Sequence, residues 1–212
     1  METQGHLAQL FEDEATVKRI KNRLPYLFQL AELESSRAGK VGMEVGSVRE
    51  KILIALLIYK FGENNVETEI PITEPEIDVK VFGNPISIKT ITSKNFGNVK
   101  LVWTVDAEQA LLFSQKYQPT CDMILAQINW GNDGGLYYFP KIIQIEVLND
   151  IGRENYIKLP KARTNPRGVE MTANALRNLA THEKTLKIPI KWSKETIEFK
   201  AYQRWIEMWR EG

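Results

Sequence analysis

The segment Ile77-Asp78-Val79-Lys80-Val81-Phe82-Gly83-Asn84-Pro85-Ile86-Ser87-Ile88-Lys89-Thr90 constrains the chain more than any other. Apolar and polar residues alternate on both sides of Gly83-Asn84, which is the period of two that marks strands. Gly83-Asn84 matches a two-residue hairpin loop. With that loop Phe82 faces Pro85, Lys80 faces Ser87 and Asp78 faces Lys89. Opposed residues hold their Cβ atoms about 5 Å apart, so a carboxylate and an ammonium are expected side by side. Ile77, Val79, Val81, Ile86 and Ile88 point the other way and are available to a core.

The surrounding pattern extends this hairpin into a fold. Residues 5–35 read as helical, interrupted or kinked at Arg23-Leu24-Pro25. A glycine-spaced loop from Gly39 to Gly46 follows. Ser47 to Phe61 reads as a helix, with Ser47 as N-cap and Gly62 just past its end. Strands are expected at about Val66–Ile70, Ile77–Phe82 and Ile86–Thr92, a helix at Asp106–Tyr117, and a buried strand at Cys121–Trp130. Residues 136–148 read as a further strand or pair, 168–181 as helical, and Lys194–Arg210 as an amphipathic helix. The expected architecture is α/β (α+β): a mixed sheet flanked by helices, with helical additions at both ends. No Pro/Ser linker divides the chain. It reads as one domain over 1–212, with a core at about 47–130, an N-terminal helical part at 1–38 and a C-terminal part from about 150.

Bulk properties exclude several classes. A single cysteine, Cys121, among 212 residues rules out a disulfide framework. Cys121, His6 and His182 lack the spacing of a zinc site. No signal peptide is visible, and the longest apolar run, Ile52 to Tyr59, is too short to span a bilayer. The chain is therefore read as cytoplasmic. The net charge of +1 does not mark a nucleic-acid binder. Yet within 153–177 Arg153, Lys158, Lys161, Arg163, Arg167 and Arg177 stand against only Glu154 and Glu170, which fits one local basic surface or, equally, a solvated face.

The Asp78–Lys89 pair has two readings. One is a cross-strand salt bridge. The other is phosphodiester chemistry, in which Asp78 holds a divalent cation and Lys89 sits beside an attacking water. The second reading needs another acid. Glu50, on the first turn of the helix before the sheet, is the candidate. Ser47-Val48-Arg49-Glu50 also matches a Ser-x-x-Glu capping box, and one carboxylate cannot serve both roles fully. Glu76, Glu74 and Glu69 are fallbacks. Asp78-Val79-Lys80 spells Asp-x-Lys on a single strand, without a preceding strand Asp.

An α-β-β-β-α-β order with Asp on one strand and an acid-x-Lys position on the next resembles the PD-(D/E)xK nuclease superfamily. The chain departs from that pattern at Ile77-Asp78, where Pro-Asp is usual, and at Ser87-Ile88-Lys89, where Ser87 replaces the second acid. Some members take the missing carboxylate as Glu from a preceding helix, which the resemblance assigns here to Glu50. Over essentially its whole length, including Gly42 to Ser47 and the hairpin, the chain is similar to a type II restriction endonuclease family. The resemblance implies Glu50, Asp78 and Lys89 as catalytic residues, with Asp78 and Glu50 as ligands of Mg²⁺. It also implies a homodimer that cuts double-stranded DNA at the palindrome CG/CG to blunt ends, alongside a cognate DNA methyltransferase in the same organism.

DNA contacts are expected at three places. Met43, in the loop before the helix of Glu50, either packs inside or wedges between base steps; the resemblance favours the wedge. Lys161, Arg163, Asn165 and Arg167 form the best base-reading loop, since Arg and Lys pair with guanine edges and Asn with adenine; phosphate clamping or a merely solvated loop fits the same residues equally well. Lys94, Asn95, Asn98 and Lys100 are candidates for backbone phosphates. Tyr202, Trp205 and Trp209 are read as core or dimer interface rather than as a stacking platform. Two other readings of the same core are a non-catalytic DNA-binding protein and a structure-selective nuclease of the junction-resolvase kind.

Overall fold

The computed structural model describes residues 2–37, 40–42, 44–104, 106–160 and 168–211. Two helices open it, α1 (Glu2–Glu12) and α2 (Glu14–Glu34). The break falls at Asp13, not at Pro25, which lies inside α2. Asp13 takes the N-cap position and accepts from the Thr16 amide at 3.1 Å. Pro25 costs one helical hydrogen bond, but Ile20, Leu24 and Phe28 of the same helix are buried and hold it in place. A short hairpin, β1 (Ser36–Arg37) and β2 (Lys40–Val41), leads to α3 (Val45–Phe61).

The remaining elements are a 3₁₀ turn (Glu63–Asn65), β3 (Val66–Glu67), β4 (Val79–Val81), β5 (Asn84–Thr92), β6 (Val99–Val102), α4 (Ala107–Lys116), β7 (Asp122–Ile128), β8 (Asp133–Phe139), α5 (Lys141–Ile151), α6 (Arg153–Tyr156), β9 (Ile157–Lys158), β10 (Val169–Met171), α7 (Ala173–Thr181), β11 (Leu186–Lys191) and α8 (Gln203–Arg210). The main sheet has six strands in the order β11-β8-β7-β5-β4-β3. Its pairings are antiparallel except β5 with β7. A parallel pair needs a long crossover, which β6 and α4 supply. The expected central order therefore holds, with β6 added after β5.

Strand alternation sorts residues onto two cores. Ile86, Ile88, Ile124, Tyr138 and Trp192 meet Leu10, Phe28, Leu53 and Leu57 of α1–α3. On the opposite face Met123, Leu125, Tyr137 and Phe139 meet Val147, Leu176 and Leu179, together with Val99, Leu101, Val169 and Met171 of the small antiparallel sheet β6-β10-β9.

Several expected elements differ. Residues 136–148 are the end of a strand and then a helix, because Pro140 stands at the start of α5. The buried Gln144 amide donates to the carbonyls of Phe139 and Cys121 at 3.0 and 2.9 Å, which ties that helix to the sheet. β11 reads as a strand once Ile188 and Ile190 are seen to be buried. Pro189 sits in it without penalty to the ladder interior, since β11 is an edge strand. The last helix starts at Gln203 instead of Lys194. Glu195 is held against α2 by both ends of the Gln29 amide, at 2.8 and 2.7 Å, and cannot turn into a helix there.

Candidate active site

The hairpin forms, but its register is shifted by two residues from the one expected. Val79 pairs with Ile86, Lys80 with Pro85 and Val81 with Asn84. The turn is Phe82-Gly83, both at positive φ, 50° and 75°. Positive φ at both central residues is the type I′ requirement. Asn84 cannot take the second turn position easily, because a residue before proline is pushed to extended backbone. It starts β5 instead, and its amide donates to the buried Asp122 at 2.6 Å. A shift of two preserves the faces of both strands, so Asp78 and Lys89 stay together although Asp78 now lies level with Ser87.

Three donors converge on one oxygen of Asp78. Oδ2 accepts from the Ile88 amide at 2.5 Å, the Ser87 hydroxyl at 3.2 Å and Lys89 Nζ at 3.3 Å. Ser87, which stands where an acid is usual, thus serves as a buried donor that helps fix Asp78.

Glu50 joins this pair from α3. The helix starts at Val45, two residues before the expected cap, so Ser47 lies inside it and the capping box does not form. Glu50 is half-buried, and its carboxyl is held above the usual glutamate range by burial and then by the charge of Asp78, with Lys89 opposing. Glu50, Asp78 and Lys89 line one cleft of about 470 Å³, whose other wall includes Lys100 and Trp103. Two carboxylates with waters suit a hydrated divalent cation such as Mg²⁺. Among the described residues no group of three or more His, Cys, Asp or Glu gathers that could form a closed cage.

The fallback acids are placed elsewhere. Glu76 lines a separate cavity with Phe113 and Lys116 and accepts from Thr120 Oγ1 at 2.5 Å. Burial raises its carboxyl, against the hydrogen bonds of Thr120 and Tyr117. Glu74 pairs with Lys80 at 3.1 Å, which occupies the Lys of the single-strand Asp-x-Lys string. Glu69 is exposed.

Arg49 was not anticipated. It is buried beside Glu50, with Nη2 on Glu32 Oε1 at 2.5 Å and Nη1 on Thr92 Oγ1 at 2.8 Å. Glu32 also accepts from Trp130 Nε1 at 2.6 Å and Lys194 Nζ at 2.8 Å. The signal was present: Arg49, Leu53 and Leu57 fall at four-residue intervals on the buried stripe of α3.

Of the expected DNA-contacting residues, Met43, Lys161, Arg163, Asn165 and Arg167 lie outside the described residues. Lys94 is exposed just past β5, and its carbonyl accepts from Gln127 at 3.2 Å. Asn98 lines the cleft, but both ends of its amide are engaged by Glu170 and the Ala173 amide, each at 3.0 Å. Its side chain ties β6 to α7 rather than waiting for a phosphate. Lys100 Nζ lies 3.1 Å from the centre of the exposed Trp103 ring. Gly168 sets the chain against this wall: at φ 106°, a Cβ there would lie 2.0 Å from the Val102 carbonyl.

A solved structure described as a restriction endonuclease in complex with substrate DNA is 57% identical, with a TM-score of 0.91 over 98% of this chain and 100% of that chain. A comparison with curated proteins finds no match. The family model for restriction endonuclease ThaI matches residues 10–211. With that span and a relative so similar in fold, the chain belongs to the ThaI restriction endonuclease family.

Proposed function

We propose that this restriction endonuclease works as a Mg²⁺-dependent homodimer. In this reading it cuts double-stranded DNA within the palindrome CG/CG and leaves blunt ends carrying 5′-phosphate and 3′-hydroxyl groups. The observation that carries this is the meeting of Glu50, Asp78 and Lys89 in one cleft, on the α-β-β-β-α-β frame of PD-(D/E)xK nucleases. The relative solved with substrate DNA supports DNA as the polymer bound. Each protomer cuts one strand, so the two-fold axis of the protein coincides with that of the site.

Asp78 and Glu50 would hold the cation. Bound there, a divalent ion neutralises charge on the scissile phosphate and makes hydroxide available near neutral pH. The chain's own groups do the rest. Ser87 and the Ile88 amide fix the Asp78 carboxylate. Lys89, held 3.3 Å from Asp78, keeps an ammonium where a water approaches phosphorus and where negative charge develops. Met43 enters the minor groove beside the scissile step. Lys161, Arg163, Asn165 and Arg167 read bases, and Lys94 takes a phosphate.

Incubating the protein with plasmid DNA and Mg²⁺, and sequencing the fragment ends, tests the reading. Discrete blunt fragments ending at CG/CG are expected. Asp78→Ala and Lys89→Ala should abolish cutting while leaving DNA binding measurable. Cleavage of branched DNA without a sequence requirement, or equal cutting by Asp78→Ala, overturns it.

A further inference from the structure

The C-terminal helix α8 has an apolar face that is left largely exposed. Tyr202, Trp205, Ile206 and Trp209 follow the i, i+3, i+4, i+7 spacing of one helix face. Trp205 is 51% exposed, Met208 57% and Trp209 88%, and the helix buries none of its residues. An isolated helix of this length is marginal in water. Its stability has to come from a surface that covers the aromatic face.

A matching surface lies on α2 and α3. Leu24 and Leu27 of α2, with Ile52 and Leu56 of α3, line a groove of about 330 Å³, and Arg19 and Arg23 stand at its edge. The cations of this stretch, Lys18, Arg19, Lys21 and Arg23, are exposed, and no acid lies between Ala15 and Ala31. The polar side of α8 carries Arg204 and Glu207, with Arg210 and Glu211 at its end, so the helix is neutral and offers its apolar face. The match is of apolar surface with apolar surface.

The path of the chain points the same way. The tail leaves the body from α2 itself, where Lys194 meets Glu32 and Glu195 meets Gln29. From Glu195 to Gln203 the chain can extend by about 26–29 Å, enough to reach a second copy packed beside α2. Aromatic side chains bury about 150–250 Å² each, and each arm offers three. Two reciprocal arms therefore cover on the order of 1,000 Å², the scale of a specific protein interface. A reciprocal exchange of arms is a closed two-fold arrangement.

We infer that α8 of each protomer docks in the α2–α3 groove of a second copy of this chain; the inference rests on the homodimer proposed above. Because Ile52 and Leu56 belong to α3, the docked arm braces the helix that also carries Glu50, a candidate catalytic carboxylate.

Light scattering and sedimentation of the full chain, of Trp205→Ala/Trp209→Ala and of Leu56→Glu test it. The full chain should be a dimer, and both variants should dissociate at least 100-fold more readily. Because Trp205 and Trp209 are exposed, that double variant should keep the folded body and lose at most the far-ultraviolet circular dichroism of the one short helix α8. Oxidising a Leu56→Cys/Trp209→Cys variant should link two chains. Variants that stay dimeric overturn the inference while leaving the homodimer intact. A link formed within one chain overturns it in favour of an arm folded on its own groove. A full chain that is monomeric with and without DNA removes the homodimer itself.

Discussion

Arg49 Nη1 donates to Thr92 Oγ1 at 2.8 Å, which joins the helix that carries Glu50 to the strand that carries Lys89. The same guanidinium meets Glu32 and lies over the Phe28 ring, with Cζ 5.6 Å from its centre. Two planar contacts made at once need the fork of arginine, which a lysine ammonium cannot reproduce. Removing one partner of a buried pair costs about 3–5 kcal/mol. A catalytic group displaced by about 1 Å can cost about 100-fold in rate. Arg49→Lys should therefore melt earlier and lose about 100-fold in single-turnover cleavage, with DNA affinity nearly unchanged. Wild-type rates below the melting temperature would show that Arg49 supports the fold but does not place Glu50.

The observed hairpin register makes a prediction opposite to that of a Gly83-Asn84 turn. In such a turn Asn84→Gly would be tolerated or favourable. In the observed structure it removes the bond to Asp122, worth about 1.5–3 kcal/mol for a charged acceptor. It also adds the strand-interior cost of glycine, about 0.5–1 kcal/mol. Gly83→Ala, at φ 75°, should cost about 1–2 kcal/mol from the left-handed backbone alone. Urea unfolding of both variants decides between the registers.

Glu50 should weaken the fold that it equips. Burial and Asp78 raise its carboxyl above the ordinary value of 4.5, so the folded state holds its proton longer than the unfolded state. Below about pH 4.5 the group is protonated in both states and contributes nothing. As pH rises through the raised folded value, ionisation costs stability, and the cost then levels off. In metal-free buffer Glu50→Gln should thus melt above the wild type at pH 7, with the gap closing toward pH 4. Added Mg²⁺ should narrow the gap at pH 7 by stabilising only the wild type. Equal melting curves at every pH would remove the electrostatic conflict between Glu50 and Asp78.

Cys121 is buried, and burial, with the Glu76 carboxylate nearby, pushes its thiol up to about 12. A protonated, covered thiol is a poor nucleophile. Thiol reagents at pH 8 should leave the native protein unlabelled for as long as it stays folded, and label it fully in urea. Prompt labelling of the native state would contradict the packing around Glu76 and Thr120.

Local patterns in the sequence determined which residues share a face. Alternation put Asp78 and Lys89 on one side of the hairpin and Ile86 and Ile88 on the other, and that holds for any even shift of register. The helix read at Asp106–Tyr117 formed within a residue of those bounds, with Asp106 as its N-cap, because a cap is settled within three residues. Tertiary structure decided what depends on distant partners. The turn moved back to Phe82-Gly83, where Pro85 allows Asn84 to extend and Asp122 rewards it. α3 started early enough to take Glu50 out of its capping box and into the cleft. Arg49 could be charged on a buried stripe only because Glu32, 17 residues away, and Thr92, 43 residues away, were folded against it. Periodicity is a property of neighbours along the chain. The cost of burying a charge, or of choosing one turn over another, is set by groups that meet only when the chain is folded.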